Sequence, residues 1–334
     1  MKVTIKDVAK EADVAPSTVS RVLSDNPKIS EETRKKVMKA IKKLQYKPNA
    51  IARSLANNKT RILGVVLPNE AQDLLSNPFF VQAMKGMSLY AQSKNYYITY
   101  AFSKDENSEK EYIRDFTTSR LVDGICLLRA KEKDETIEYL KEIDFPFVVI
   151  GRPEDSNNIL WVDNDNFKSM YDLINKLIEN GNRDIGFIGA REQWNVSKDR
   201  LKGYKMAGEI NAIDFSKEYI IHMKEFNEEE GYKATKEILK IPSISAIVAT
   251  DDLLAFGAIK ALKEKEIGNI SVVGFNNTPL AEFQNPPLAS VDINAVDLGY
   301  YGIKLLIDKL EGEEIKRNHY IVDTKFIERE SFKR

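Results

Sequence analysis

One short stretch of the sequence sets small hydroxyl residues and an arginine opposite a run of apolar residues. Val19, Val22 and Leu23 are spaced as one face of a helix, which leaves the polar residues on the other face. An arginine there could donate two hydrogen bonds to one guanine in the major groove of DNA, whereas serine and threonine are less selective. A base-reading face is therefore predicted, with Arg21 as its main reader, although an ordinary solvated face stays open for Ser20. The face consists of Pro16, Ser17, Thr18, Ser20 and Arg21.

Three short helices are predicted to position this face. The first begins after the capping residue Thr4 and keeps helical spacing of its apolar residues to about Ala12. The second begins at Pro16, because the missing N–H of proline has no partner in the first turn of a helix. The third opens at Ser30 and supplies apolar residues to a small core. Two short helices joined by a three-residue turn are typical of a helix-turn-helix.

Length and composition indicate a globular protein with two or three folding units. The chain has 334 residues, of which 43% are hydrophobic and 30% charged. No apolar run approaches the roughly 20 residues of a membrane helix and no signal-type stretch follows Met1, so we expect a cytoplasmic protein without a membrane partner. The single cysteine, Cys126, lies in an apolar run and is predicted to be a buried, inert thiol.

Charge is divided unevenly along the chain. Residues 1–61 contain 15 Lys and Arg against 6 Asp and Glu, a net charge of +9, whereas the remaining residues have a net charge of −10. Basic residues that replace the condensed counterions of DNA supply most non-specific affinity for it. A DNA-binding front part on an acidic body is therefore expected.

A segment that favours helix follows the three predicted helices, but it is too short to be stable alone. It spans residues 50–56, and isolated helices below about 12–15 residues are marginal in water. This segment and the preceding Tyr46-Lys47-Pro48-Asn49, the run Ser17–Leu23 and the start Thr4–Ala9 together resemble the lactose-repressor family of transcription regulators.

The resemblance implies how the short segment acts. In that family the hinge helices of two subunits pair in the minor groove of a pseudo-palindromic operator, and a leucine inserts between base steps and kinks the duplex. The matching residue is Leu55, with Ala52 allowing close helix contact and Asn49 placed for a groove or backbone contact. A homodimer is implied. The predicted DNA-binding set also includes Thr4, Tyr46 and Ala56.

Beyond residue 61, short apolar runs alternate with amphipathic helical stretches. This alternation is typical of parallel sheets with crossover helices, and two α/β lobes are expected. The predicted strands are Ile62–Leu67, Tyr97–Phe102, Val122–Leu128, Phe147–Ile150, Ile185–Ile188, Ala246–Ala249 and Ser271–Gly274.

The resemblance extends over the whole chain, for example through Val122-Asp123-Gly124, Asp199–Tyr204 and Val272–Asn277. Within the family the chain looks most like repressors of maltose or maltodextrin operons, through Asn77–Phe80, Val162–Asn166 and Val291–Asn294. The resemblance implies an α/β core like the periplasmic sugar-binding proteins, with two lobes of doubly wound parallel sheets and a ligand between them. The expected units are a helix-turn-helix domain at 1–47, a hinge helix and linker at 48–61, a first lobe at 62–162 with about 293–323, and a second lobe at 163–292 with about 324–334.

A sugar site needs flat apolar faces and planar groups that grip neighbouring hydroxyls. Arg200 is the main candidate, because its position matches the family's ligand-binding arginine and its fork can bridge two oxygens. Asp163 could instead only cap the next helix, and Phe79 and Phe80 could be core residues. For Arg129 and Arg152 a solvated salt bridge is expected. The predicted effector-binding residues are Phe79, Phe80, Asp163, Trp194, Arg200, Phe226, Asp251 and Asn276.

One departure from the family and three other functions bear on this prediction. Many members carry aspartate where this chain has Asn276, which removes a charge and favours a neutral ligand.

An enzyme is disfavoured, because phosphate-binding and dinucleotide motifs are missing and His222 and His319 each stand alone, so that no metal site or cofactor is expected. A catabolite regulator that answers to a phosphorylated carrier protein stays open. A free sugar-binding protein is opposed by the basic front part.

Overall fold

The computed structural model describes residues 3–24, 26–46, 59–67, 77–103 and 105–333. The chain forms two compact units, residues 1–60 and 61–334, called the head and the core below. The predicted hinge residues Asn49, Ala52, Leu55 and Ala56 lie outside the described residues. Helices among the described residues include none that is long and apolar enough to cross a membrane.

The head has the three predicted helices, α1 (Ile5–Glu11), α2 (Pro16–Leu23) and α3 (Glu31–Leu44). The carboxylate of Asp7 accepts hydrogen bonds from the backbone N–H of Thr4 at 2.8 Å and from its hydroxyl at 2.7 Å. Thr4 therefore helps to fix the start of α1, as a residue at that position should. The hydroxyl of Ser30 accepts from the backbone N–H of Thr33 at the start of α3.

A small apolar core joins the three helices of the head. Buried residues from each helix meet there, including Val8, Val19 and Val37, and the ring of Tyr46 packs partly buried against them. The opposite face of α2 stays accessible, since Pro16, Ser17 and Arg21 are exposed and Thr18 and Ser20 are half-buried. The fold class predicted for the head is confirmed. The exposed residues keep their predicted role in DNA reading as a prediction.

The core contains two sheets, each of which organises one lobe. The first sheet has the strand order β11-β5-β4-β3-β1-β2, and its neighbouring strands are parallel. Its strands are β1 (Ile62–Leu67), β2 (Tyr97–Phe102), β3 (Gly124–Leu127), β4 (Phe147–Ile150), β5 (Leu160–Asn164) and β11 (His319–Val322).

The second sheet repeats the same winding, in the order β12-β10-β9-β8-β6-β7. Its strands are parallel except at one edge, where β12 is antiparallel to β10. The strands are β6 (Ile185–Ala190), β7 (Ile220–Met223), β8 (Ala246–Ala249), β9 (Ser271–Phe275), β10 (Ala289–Asp292) and β12 (Lys325–Ile327).

Helices cover both faces of each sheet, as doubly wound parallel sheets require. In the first lobe α4 and α11 pack on one face and α5 and α6 on the other; in the second lobe α7 and α8 face α9 and α10 across the sheet. The helices are α4 (Pro78–Ser93), α5 (Glu106–Thr118), α6 (Glu135–Glu142), α7 (Asn166–Glu179), α8 (Asn195–Ile210), α9 (Glu228–Ile238), α10 (Asp252–Glu264) and α11 (Ala295–Glu311).

The apolar pattern predicts the central strands well and does not predict β5, β7, β10, β11 and β12. The strand predicted at Val122–Leu128 covers only Gly124–Leu127, and those predicted to end at Ile188 and Gly274 continue to Ala190 and Phe275. The edge strands β7, β11 and β12 are largely half-buried and carry polar residues, so they lack a continuous apolar run.

Replacing Arg21 by alanine is expected to weaken binding to an operator selected from random DNA by about 1–3 kcal/mol and to relax preference at one base pair of each half-site. The head should keep its stability, because the side chain is exposed and outside the apolar core. Titrations at fixed salt against operators varied at each position would measure both effects. Lys39→Ala removes the same charge from the exposed side of α3 and should leave base preference unchanged; an unaltered preference in Arg21→Ala would reject its assignment.

Candidate ligand-binding cleft

A cavity of about 110 Å³ lies between the two lobes of the core. It has space for several water-sized groups, each of which needs roughly 10–15 Å³. The structure brings together in its wall every residue predicted to bind an effector: Phe79, Phe80, Asp163, Trp194, Arg200, Phe226, Asp251 and Asn276.

The winding of the two sheets explains where the cavity forms. In each sheet the strand order reverses direction beside the first strand, and ligands of such folds bind where the carboxyl ends of the strands flank this reversal. Arg129 follows β3, Arg191 follows β6 and Thr250 follows β8, and each of the three lines the cavity. The polar residues of the cleft therefore come from strand ends that are far apart in sequence.

Arg200 is the positive centre of the cleft, and it is buried on α8. Its Nε donates to Asn166 Oδ1 at 2.9 Å, and its Nη1 donates to the carbonyl oxygen of Thr250 at 2.6 Å. The guanidinium lies 4.3 Å from the ring centre of Phe275. Burial lowers the pKa of Arg200 to about 10, against the opposing charges of nearby aspartates, so it stays protonated at neutral pH.

The close approach of α8 to α7 lets Arg200 reach Asn166. A Cβ atom on Gly203 would lie 2.3 Å from the carbonyl oxygen of Phe167, so any larger residue would push the two helices apart. The next residue, Tyr204, is buried and donates its hydroxyl to the carbonyl oxygen of Ile185 at 2.6 Å. These contacts fix the turn of α8 that carries Arg200.

Asp163 is the second-last residue of β5, just before the chain passes from the first sheet to the second lobe. Its carboxylate accepts hydrogen bonds from the backbone N–H groups of Arg152 and Asn164 at 2.9 and 2.8 Å and from Asn166 Nδ2 at 2.9 Å. The alternative that it only caps the next helix is wrong, because Asp165 caps α7 by accepting from the backbone N–H of Lys168. Asp163 instead lines the cleft and accepts hydrogen bonds from residues of the segments that connect the two lobes.

Asp251 and Asn276 form a hydrogen-bonded pair on the second lobe. Asp251 Oδ1 accepts from the backbone N–H of Leu253 at the start of α10, and Oδ2 accepts from Asn276 Nδ2 at 2.7 Å. Asn276 follows β9 with a φ of +104°, in the region that non-glycine residues rarely adopt. The adjacent Asp252 accepts hydrogen bonds from the hydroxyls of Thr278 and Ser290 at 3.0 and 2.6 Å.

Aromatic rings form apolar walls on both lobes. Phe80 is buried and Phe79 half-buried, and both line the cavity while packing in the core of the first lobe; their contact with an effector stays a prediction. On the second lobe the rings of Trp194 and Phe226 lie 5.7 Å apart, and the guanidinium of Arg191 lies 5.1 Å from the ring of Trp194. Flat apolar faces and planar hydrogen-bonding groups thus occur in one cavity.

The solvated salt bridge expected for Arg129 is wrong, because this residue is buried and lines the cleft. It forms ion pairs with Glu109 and with Asp134, which are also buried. Arg152 is exposed, as expected, but the contact that the structure gives its guanidinium is with the ring of Trp161, whose centre lies 5.6 Å away. The sequence around Arg129 does not indicate the ion pair with Glu109, because Glu109 lies 20 positions earlier on helix α5.

Comparison with known proteins agrees with this architecture. Residues 4–49 match the model for bacterial regulatory proteins of the lacI family, and residues 174–332 match a periplasmic binding protein-like domain. The HTH-type transcriptional regulator MalR of Streptococcus pneumoniae is 38% identical over 92% of both chains. The chain belongs to the LacI family. It is a DNA-binding transcriptional regulator of that family.

Other LacI-family proteins share the sequence or the fold. Catabolite control protein A of Priestia megaterium is 32% identical over 94% of this chain and 95% of its own. The transcriptional regulator CelR in complex with cellobiose has a TM-score of 0.77 and 26% identity, covering 99% of this chain and 100% of its own. A probable maltose operon transcriptional repressor, malR of Staphylococcus aureus, has a TM-score of 0.75 and 26% identity, covering 82% and 98%.

The sequence did not point to several residues that shape the cleft of this LacI-family regulator. Asn77, Arg191 and Thr250 line the cavity, and Asn166 accepts a hydrogen bond from Arg200. For Arg191 and Thr250 the signal that could have found them is position, because each directly follows the carboxyl end of a strand. Among the described residues, no group of three or more His, Cys, Asp or Glu side chains could hold a metal ion.

We expect the regulator to become more stable as the pH falls from about 8 towards 6. Burial raises the pKa of Asp163 and of Asp251 to about 6 and that of Asp252 to about 7, whereas an unfolded aspartate has a pKa of about 3.9. In this range the folded chain takes up protons that the unfolded chain does not, so the free energy of unfolding increases as the pH falls.

Thermal unfolding across this pH range would measure the effect, which should amount to a few degrees, since about 1 kcal/mol shifts Tm by roughly 2–4 °C in a domain of this size. Burial lowers the pKa of His222 and acts in the opposite direction. Asp252→Asn should therefore flatten the dependence, whereas the exposed Asp172→Asn should not. A wild-type Tm that decreases as the pH is lowered from 8 to 6, by the same amount as in Asp252→Asn, would contradict the assignment.

Proposed function

We propose that this regulator represses a carbohydrate-utilisation operon and that a neutral sugar, maltose or a maltodextrin, binds in the cleft and releases the operator. The observation that carries the proposal is the cleft itself, in which aromatic faces and a buried arginine fork converge. The likeness of the whole chain to MalR and to a probable maltose operon repressor supports maltose as the ligand. Its likeness to CelR, whose structure contains cellobiose, supports a disaccharide. Repression is then a matter of binding and not of catalysis.

The charges of the cleft favour a neutral ligand over a sugar phosphate. Arg129 is paired with two buried carboxylates, and Arg191 is paired with Glu225. The charge of Arg200 is offset by nearby aspartates, including Asp163 and Asp251. A phosphate group would have to break an existing ion pair or approach buried carboxylates, which costs free energy that a neutral hydroxyl does not require.

Contacts across the cleft show how a ligand could change the arrangement of the lobes. Asn195, at the start of α8, donates from its backbone N–H to the carbonyl oxygen of Ala130 at 3.1 Å and from Nδ2 to that of Arg152 at 2.9 Å. Lys198 forms an ion pair with Glu132 of the first lobe. A sugar that contacts both lobes would stabilise this closed arrangement relative to an open one.

The first residue of the core could pass such a change to the hinge segment. The backbone N–H of Arg61 donates to the carboxylate of Asp123 at 2.8 Å, and Arg61 Nη1 donates to the carbonyl oxygen of Lys94. In a homodimer, movement of the two first lobes would then change the distance between the hinge segments. Couplings of this kind are typically about 1–3 kcal/mol, which is enough to release an operator.

A second candidate function rests on the 32% identity with catabolite control protein A. In that case the core would respond to a phosphorylated carrier protein, and sugars would leave operator affinity unchanged. The cleft favours the sugar reading, because its buried aromatic and polar walls would otherwise have no ligand. Measurement of operator affinity with each addition separates the two.

The sugar proposal predicts that maltose or maltotriose raises the unfolding temperature of the full chain in a panel of neutral sugars and sugar phosphates. At a concentration 100 times Kd, a ligand that binds only the folded state adds about 2.7 kcal/mol to the free energy of unfolding. Glucose 6-phosphate should give no such shift. Trp194 lines the cleft, so its fluorescence should change in a Trp161→Phe background.

Arg200→Lys keeps the charge but loses the planar fork, and it should abolish the thermal shift. Arg183→Lys, at an exposed position of the second lobe, is the matched control and should respond like the wild type. Stabilisation by sugar phosphates and not by neutral sugars would overturn the proposal, as would an equal response of Arg200→Lys and wild type.

A further inference from the structure

The hydroxyl of Thr250 is a buried polar group without a partner in the wall of the cleft. Thr250 directly follows β8, is only 1% exposed and lines the cavity. Among the described residues, no hydrogen-bond partner exists for its Oγ1. Three other buried side-chain atoms share this property, on Trp161, Asn195 and His222, but none of these three residues lines the cavity.

Hydrogen bonds on both sides fix the backbone position of Thr250 in the wall of the cleft. Its N–H donates to the carbonyl oxygen of Ile188 at 2.8 Å, and its own carbonyl oxygen accepts from Arg200 Nη1 at 2.6 Å. The strand that precedes it, Ala246–Ala249, is apolar and fully buried. Packing alone would be served as well by valine, which has the same shape without the hydroxyl.

A buried hydroxyl without a partner lowers the stability of the free protein, because it has lost its hydrogen bonds to water. Such groups are rare in folded proteins and need a reason, and function at a binding site is one. Here the neighbours indicate the reason. Thr250 accepts a hydrogen bond from Arg200 at its carbonyl oxygen, and the next residue in the chain is Asp251; these two neighbours provide the fork and the carboxylate of the cleft.

We propose that Thr250 is a specificity-determining residue whose hydroxyl forms a hydrogen bond with one hydroxyl group of the bound neutral sugar. The inference rests on the proposed function and names a contact within the same site. A hydroxyl both donates and accepts, which matches another hydroxyl better than it matches a carboxylate or an ammonium group. A sugar that lacks the matching hydroxyl would leave Thr250 without a partner and would be rejected.

Two variants test this contact. Thr250→Val removes the hydroxyl and keeps the shape, whereas Thr250→Ser keeps the hydroxyl. Calorimetric titration of the full chain with maltose, maltotriose, cellobiose and glucose should show the best-bound sugar losing about tenfold in affinity in Thr250→Val, since about 1.4 kcal/mol corresponds to a factor of ten. Thr250→Ser should bind within about threefold of the wild type.

The stability of the sugar-free variants gives a second readout that does not depend on the identity of the sugar. Thr250→Val should unfold about 2–4 °C above the wild type, because it loses only a buried group without a partner. Thr250→Ser should gain no such stability.

The outcomes separate this inference from the proposed function. If the wild type binds a sugar and Thr250→Val binds it equally well, the Thr250 contact is wrong and the proposed function stands. If no sugar of the panel binds the wild type, the proposed function fails and the Thr250 contact fails with it. A valine variant no more stable than the wild type would show that the hydroxyl already has a partner and would overturn the inference.

Discussion

The arrangement of the cleft depends on the groups that compensate the buried charge of Arg200. A guanidinium taken out of water must be hydrogen-bonded and balanced by negative charge, or it destabilises the fold. Here Asn166 and the carbonyl oxygen of Thr250 bind it, and Asp163 and Asp251 balance it. These partners come from the passage between the lobes, the end of β8 and the start of α10, so one side chain sets the positions of three segments around the ligand site.

The same arrangement makes the cleft responsive. Asp163 accepts a hydrogen bond from the backbone of Arg152, whose carbonyl oxygen accepts one from Asn195 of the second lobe. A ligand that engages Arg200 therefore acts on groups that belong to the contact between the lobes. The buried aspartates have raised pKa values because the site excludes water, and the same exclusion strengthens hydrogen bonds to a neutral ligand.

Much of this organisation could be predicted from the sequence, for reasons that differ between the two units. The helices of the head are predicted from local sequence signals. Pro16 and Ser30 mark helix starts, and the spacing of Val19 and Val22 shows which face is buried. In the wall of the cleft, Arg200, Asp251 and Asn276 are predicted from the resemblance, whereas the aromatic residues are predicted from the chemistry that a sugar needs. The burial of Arg129 could not be predicted, because its charge is balanced partly by Glu109, a residue 20 positions earlier on helix α5. The edge strands β7 and β12 lack a continuous apolar run.

The central claim is that a neutral sugar in the cleft and operator DNA on the head oppose each other through one free energy of coupling. The most direct test measures operator affinity with and without saturating maltose or maltotriose, and sugar affinity with and without saturating operator, for the full chain at fixed salt. The account predicts that the two ratios are equal and lie in the range of roughly 5–150-fold, as linkage requires. Operator affinity unchanged at saturating sugar, with the sugar demonstrably bound, would contradict it.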